Sequence, residues 1–287
     1  MRVFVTGATG FIGSAVVREL LEAGHQVVGL ARSDTAAPAL TAAGAEVHRG
    51  ALDDLDSLRA AAAAAEGVIH LAFEISKTED FAAASQGDLR AVEAMGSALE
   101  GSDRPLVVTS GTLALAPGRL GTEEDAPDPA SAGGARVPTE LAAVAMGELG
   151  VRSSVVRLPP TVHDEGDKTG LVPRLIGVAR ATGVSAFVGD GSNRWPAVHR
   201  SDAAHLFRLA VEAAPAGSRL HGAGEEGVTF REIAEAIGRQ LNLPVTSIAA
   251  EGAPEHFGFS SFLVSVDNPT SSALTRDGWA GGPTARP

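Results

Sequence analysis

Cysteine is absent from all 287 residues, which excludes disulfides, thiolate nucleophiles and cysteine-ligated metals. Tyrosine is absent too, and lysine occurs only as Lys77 and Lys168. Counting alone therefore removes every mechanism that needs a Tyr–Lys pair. The eight histidines are scattered, with no two at a recognisable zinc spacing, so no metal is expected. No apolar run reaches the roughly 18 residues of a membrane span. Arg2 leads directly into a strand-like VFVTG without an apolar leader, so the cytoplasm is the expected compartment. Excess positive charge is also missing. A net charge of -12 argues against nucleic acid or an anionic membrane as a partner and reads as solubility. The expected partner is a small-molecule substrate, with a homodimer left open as the assembly.

What is present is a composition, 44% apolar and 20% charged, that can bury a full core. The first half alternates short apolar runs with alanine-rich amphipathic segments, the pattern of βαβ units. Strands are predicted over 2–6, 26–31, 46–48, 68–71, 106–109 and 153–157, and helices over 11–23, 35–43, 55–64, 81–99 and 139–149. Gly24, Gly44, Gly67 and Gly150 each stand between a helix and a strand, where a C-terminal cap is expected. The Gly-, Pro- and acid-rich stretch 117–138 is too long for an ordinary connection and reads as a mobile loop or an active-site lid. Beyond residue 157 the alternation weakens, leaving helices over 171–181, 201–213 and 230–240, a strand over 186–188 and an irregular tail from 249. The expected fold is α/β, a doubly wound parallel sheet of Rossmann type over 1–168 and 196–223. A small interleaved C-terminal substrate lobe is expected from 169–195 and 224–287.

The strongest motif is Gly7-Ala8-Thr9-Gly10-Phe11-Ile12-Gly13, directly after a strand and opening a helix. Glycine there permits a tight turn and close approach of a pyrophosphate, while the helix N-terminus supplies free N–H groups and a positive dipole end. At the end of the second strand, where an NAD enzyme would place a carboxylate for the ribose 2′-hydroxyl, stand Ala31, Arg32 and Ser33. A guanidinium beside a hydroxyl suits a 2′-phosphate, so NADP(H) is the expected cofactor. The plainer alternative is an arginine on a solvated loop.

These segments, with Leu52-Asp53, His70-Leu71-Ala72, VVTSGT at 107–112, Arg157-Leu-Pro-Pro-Thr161, Gly189-Asp-Gly191 and Val198-His199-Arg-Ser-Asp202, resemble the extended short-chain dehydrogenase/reductases over nearly the whole chain. The resemblance implies Asp53 near the adenine, Leu71, Ala72 and Phe73 along the cofactor with Leu52 and Thr109, and Pro160, Thr161 and Val162 beside the nicotinamide. Asp53 reads otherwise as the N-cap of the helix that follows.

The same family pattern expects a serine after the fifth strand and Tyr-x-x-x-Lys on the next helix. Here Gly111 aligns with that serine, and Arg136 and Glu140 with the tyrosine and lysine. Candidate catalytic groups are therefore the hydroxyls of Ser110 and Thr112, then Arg136, Glu140 and His163. Arginine is a poor acid but a good stabiliser of negative charge. A solvated i,i+4 Arg136–Glu140 pair is the expected arrangement, which ranks the hydroxyls first. Trp195 and His199 are candidate substrate contacts, with core packing as the alternative. The function this implies is an NADP(H)-dependent oxidoreductase that reduces a small carbonyl, imine or activated C=C bond by hydride transfer without a tyrosine. The alternative is an NADP(H)-binding sensor. An epimerase or dehydratase is disfavoured, since those reactions draw on the tyrosine base.

Overall fold

The computed structural model describes residues 1–74, 80–168 and 170–278; Lys77 lies outside them. In chain order the elements are β1 (Arg2–Thr6), α1 (Phe11–Glu22), β2 (Gln26–Ala31), α2 (Ala36–Ala42), β3 (Glu46–Arg49), α3 (Leu55–Ala63), β4 (Gly67–His70), α4 (Phe81–Ser97) and β5 (Pro105–Gly111). There follow α5 (Val137–Ala145), β6 (Arg152–Leu158), β7 (Thr161–His163), α6 (Leu171–Thr182), β8 (Ser185–Val188), β9 (Arg194–His199) and α7 (Arg200–Ala213). The last are β10 (Ser218–His221), β11 (Glu225–Thr229), α8 (Phe230–Leu241), β12 (Val245–Ile248), α9 (Ala253–Phe257) and α10 (Ala273–Asp277). No helix among the described residues is long and apolar enough to cross a membrane.

The chain divides into two units. The first comprises residues 1–110, 135–157 and 200–222, and the second residues 111–134, 158–199 and 223–287. Residues 111–134, 158–168, 196–199 and 223 thus group with the second unit, whereas the sequence pattern suggests the first. The first unit carries a seven-stranded sheet in the order β10-β6-β5-β4-β1-β2-β3, with parallel registers for β1–β2, β2–β3, β1–β4, β4–β5 and β6–β10. This is the doubly wound order, and it reverses direction between β1 and β4. The strands read as continuous apolar runs because helices cover them: Phe4, Val68, Val108 and Val155 pack with Leu58, Val92 and Met95 in one buried cluster.

The second unit has a three-stranded sheet, β11-β9-β7, and a parallel pair, β12–β8. Its core gathers Trp195, Phe230, Phe257, Leu175 and Phe187.

Two expectations fail here for identifiable reasons. Gly24, Gly44 and Gly150 have positive φ, but Gly67 does not: it is the first residue of β4. A Cβ there would stand 2.8 Å from Pro105, so its small size serves packing. The part of the 117–138 stretch in the second unit, residues 117–134, is not a free loop. Backbone bonds tie Gly118 to Asp267 (2.8 Å), Gly121 to Pro269 (2.9 Å) and Asp128 to Ala114 (2.7 Å), and the buried Glu123 accepts from the Thr275 amide and hydroxyl.

Candidate functional site

The site starts where β1 hands over to α1. Gly7 adopts φ +66, and a Cβ on it would sit 2.7 Å from the amide nitrogen of Ala72, in the segment after β4. Gly13 is tighter, since its Cβ would lie 2.0 Å from the Gly7 carbonyl oxygen. No larger residue can bring α1 so close to the strand ends. Gly10 caps α1 with no side-chain bond, and the first turn carries no acidic residue. Among the described residues no side-chain cap or acidic residue compensates the amides of that turn and its positive dipole end, which suits a diphosphate. A cavity of about 450 Å³ opens there, lined by Gly7, Thr9, Gly10, Leu71, Ala72 and Phe73 among others. This volume and this glycine cradle fit a dinucleotide. Phe11 and Ile12 begin α1 outside the lining, and Arg200 stacks on the Phe11 ring at 4.6 Å.

Arg32, Ser33 and Leu52 also line the cavity. Arg32 is ion-paired with Glu74, which shares the same rim. Arg49, which the sequence reading passed over, donates to the Ser33 carbonyl (3.2 Å) and to Asp34 (3.1 Å). Asp53 lines an adjoining cavity of about 310 Å³ with Leu52, Glu74 and Asp88. It is not the N-cap of α3; Asp54 is, accepting from the Ser57 amide.

Behind the cleft runs a buried polar chain. Thr6 Oγ1 accepts the amides of Leu71 and Ala72 (both 3.2 Å), which leaves its hydrogen for His70 Nδ1 at 2.7 Å. His70 Nε2–H then points at Asp88 (3.0 Å), whose second oxygen takes Arg136 Nη2 (3.2 Å). Arg136 also donates to the Thr109 carbonyl at 2.7 Å, and its guanidinium covers the Phe73 ring at 4.4 Å. The Thr109 hydroxyl is used within the sheet, donating to the His70 carbonyl. Burial opposes ionisation of Asp88, but the bonds from His70 and the charge of Arg136 outweigh it and hold the carboxyl below its usual range.

A carboxylate depressed in the folded state stabilises above its unfolded pKa and loses that contribution as pH falls through the folded value. The Asp88 contribution to stability toward urea should therefore be constant from neutral pH to about 5 and be lost below about pH 4. The Asp88→Asn variant should start less stable and show a shallower fall, checked by urea midpoints across that range. An equal slope in both proteins would remove Asp88 from the account.

Arg136 and Glu140 do not form the expected solvated pair. Glu140 is fully buried, because α5 turns it toward β6 and β10. Arg157 grips it through Nε (3.1 and 3.2 Å) and Nη2 (2.5 Å), Arg219 Nε adds a bond at 3.1 Å, and Ser110 Oγ donates at 2.8 Å. Desolvation of this carboxyl is overcome by Arg157, then by Ser110 and Arg219, so it stays ionised below its ordinary range. That is the reverse of a raised-pKa proton donor. The signal was in the sequence: Arg157 stands in a strand between buried Val155, Val156 and Leu158, and such a cation needs a buried anion.

The hydroxyls fare little better as free donors. The Ser110 proton goes to Glu140, and Thr112, in the second unit, donates to Asn268 Oδ1 at 2.7 Å while its carbonyl accepts from Asn268 Nδ2. Also in the second unit, Pro160 precedes β7, which holds Thr161, Val162 and His163. The His163 ring meets His199 edge-on at 5.5 Å, across the β7–β9 register. Trp195, offered as a substrate contact, is 1% exposed and packs edge-on against Phe230 at 5.0 Å, so it is a core side chain. No group of three or more His, Asp or Glu among the described residues could hold a metal.

Comparison with known proteins shows the family and the fold. A model of the NAD dependent epimerase/dehydratase family matches residues 3–221. An uncharacterized protein of Schizosaccharomyces pombe (strain 972) is 51% identical, covering 97% of this chain and 94% of its own length. A 2-alkyl-3-oxoalkanoate reductase of Stenotrophomonas maltophilia (strain K279a) is 27% identical, covering 88% of this chain and 77% of that protein. Among solved structures, a UDP-glucose 4-epimerase of Thermus thermophilus in complex with NAD superposes with a TM-score of 0.75 at 21% identity, over 97% of this chain and 93% of that one. The chain belongs to the NAD dependent epimerase/dehydratase family, among the extended short-chain dehydrogenase/reductases it resembles in sequence.

Proposed function

We propose, from that membership, that the chain is an NADP(H)-dependent oxidoreductase reducing a small carbonyl, imine or activated C=C substrate without a tyrosine. The observation that carries the cofactor choice is the rim of the cleft, where Arg32 and Ser33 replace the carboxylate that would read a ribose 2′-hydroxyl. The similarity to a protein named as a reductase supports the direction of the chemistry.

The bound nicotinamide would supply the hydride. This chain's own residues bind and position. The Gly7–Gly13 turn and the start of α1 hold the diphosphate, Arg32 and Ser33 the 2′-phosphate, and Leu71, Ala72 and Phe73 form the wall. Arg136 carries the electrostatic work, in the place of the family's tyrosine. Its Nη2 is held by Asp88 and the Thr109 carbonyl, while its Nε has no hydrogen-bond partner among the described residues. A permanently protonated group so held stabilises developing negative charge with little reorganisation, but releases no proton. Hydride addition to a carbonyl or an activated C=C bond leaves an alkoxide or enolate beside this guanidinium, and the final proton is then left to water. This reverses the ranking suggested by sequence, because the hydroxyl hydrogens are committed elsewhere.

The test is a calorimetric titration of NADPH and NADH. Charge-assisted contacts to a phosphate are worth about 1.5–3 kcal/mol, so Arg32→Ala should weaken NADPH at least about tenfold and leave NADH nearly unchanged. A wild type preferring NADH contradicts the cofactor assignment.

A further inference from the structure

We propose that Glu74 is a specificity-determining residue of the cleft, holding in the free protein the guanidinium that a cofactor 2′-phosphate would use. Phosphate binding is then an exchange of anions on Arg32. The proposal rests on the NADP(H) reading and deepens it.

Glu74 lies two residues past Ala72, in the segment that closes the cleft after β4. Its carboxylate pairs with Arg32, and both line the same cavity as Gly7, Ser33 and Ala36. The Glu74 and Arg32 side chains are 52% and 63% exposed, so the pair is wet and readily exchanged. The arrangement is repeated next to it: Arg49 pairs with Asp34 at 3.1 Å while anchoring the Ser33 carbonyl. Arg32 is thus the guanidinium on the cavity lining, matched there by the Glu74 carboxylate, while Arg49 and Asp34 stand outside that lining. Ser33 is held in place, with its Oγ accepting the Ala36 amide at 3.2 Å and lying 2.9 Å from Thr35 Oγ1.

A phosphate monoester brings nearly two charges and three acceptor oxygens, against one charge and two oxygens on Glu74, so it takes Arg32 from the carboxylate. The displaced Glu74 stays on the rim and repels the newcomer. NADH presents only a hydroxyl at that position and leaves the Arg32–Glu74 pair intact. Glu74 therefore weakens NADPH selectively, and sets how far the two cofactors are told apart. Its charge, not its bulk, is responsible.

Glu74→Gln keeps the shape and removes the charge. Titrations of the full chain at low ionic strength would use NADPH, NADH and adenosine 2′,5′-bisphosphate, the last to isolate the phosphate from the nicotinamide. The substitution should tighten NADPH and the bisphosphate about three- to tenfold, with NADH within about twofold. With Arg32→Ala already in place, the gain should be clearly smaller, since no guanidinium remains to be released. If Glu74→Gln leaves NADPH within about twofold, improves NADH equally, or helps as much without Arg32, the assignment of Glu74 is overturned. A wild type that prefers NADH overturns the NADP(H) reading itself, which is a different result from the same titration.

Discussion

Replacing Glu140 by Ala should lower the free energy of unfolding by about 3–5 kcal/mol, the cost of leaving a buried charge without its partner. Arg157 is wholly buried and Arg219 mostly so, and both converge on this one carboxylate. Without it, two guanidinium groups converge on the same place with no carboxylate between them, although Arg157 keeps the His221 ring nitrogen at 3.1 Å. Glu140→Gln should recover only part of the loss, because its amide oxygen can accept bonds on one side while its NH2 turns a donor toward the other donors and no charge is supplied. Removing both members, as in Glu140→Leu with Arg157→Met, should cost less than Glu140→Ala alone, since apolar replacement of a buried pair is often tolerated. Urea unfolding at pH 7 measures all three. A loss below about 1 kcal/mol for Glu140→Ala would mean the carboxylate is solvated.

Arg136→Ala should reduce kcat about 10²–10³-fold, the usual worth of a fixed donor to developing negative charge. NADPH affinity should change only a few-fold, because Arg136 does not line the cavity of the glycine turn. Asp88 still keeps its bond to His70, so the segment after β4 stays tied through Thr6. Arg136→Lys should recover little, since an ammonium cannot hold Asp88, reach the Thr109 carbonyl and lie flat over the Phe73 ring at once. Ser110→Ala should instead show as lost stability with kcat within a few-fold, its hydrogen being spent on Glu140. Steady-state kinetics of the variants on one reduced substrate would separate these outcomes. If Ser110→Ala abolishes turnover and Arg136→Ala does not, the donor is the hydroxyl.

The half of the chain that repeats βαβ was legible, down to the residue for β1 and β2, because strand and helix periods alternate there without interruption. The second unit was harder. β9 contains Pro196, which lacks the ladder N–H and argues against a strand from sequence. It is accommodated because the β11–β9 register slips between Glu225 and Val228, opposite that residue. β11 reads EEGVT and β12 VTSI, and both are largely exposed, so neither carries an apolar alternation to find.

The glycine turn and the rim arginine were visible because local geometry demands them. The pairing of Glu140 was invisible for the opposite reason. A helix rule looks four residues along, to Arg136, whereas the actual partner lies 17 residues away on β6. Arg136 is likewise claimed from 48 residues back, by Asp88 on α4. Asp88 carried no local signal and His70 only its place in the His70-Leu71-Ala72 motif, since their pairing has meaning only once β4 and α4 are packed together.

The central claim, turnover with NADPH and no tyrosine, is tested most directly by following NADPH absorbance against a broad panel of ketones, cyclic imines and enones. The account predicts steady oxidation with at least one of these classes, faster with NADPH than with NADH, and lost in Arg136→Ala while NADPH still binds. NADPH bound tightly and oxidised by no member of the panel would contradict it, and would mark the chain as a cofactor-binding sensor.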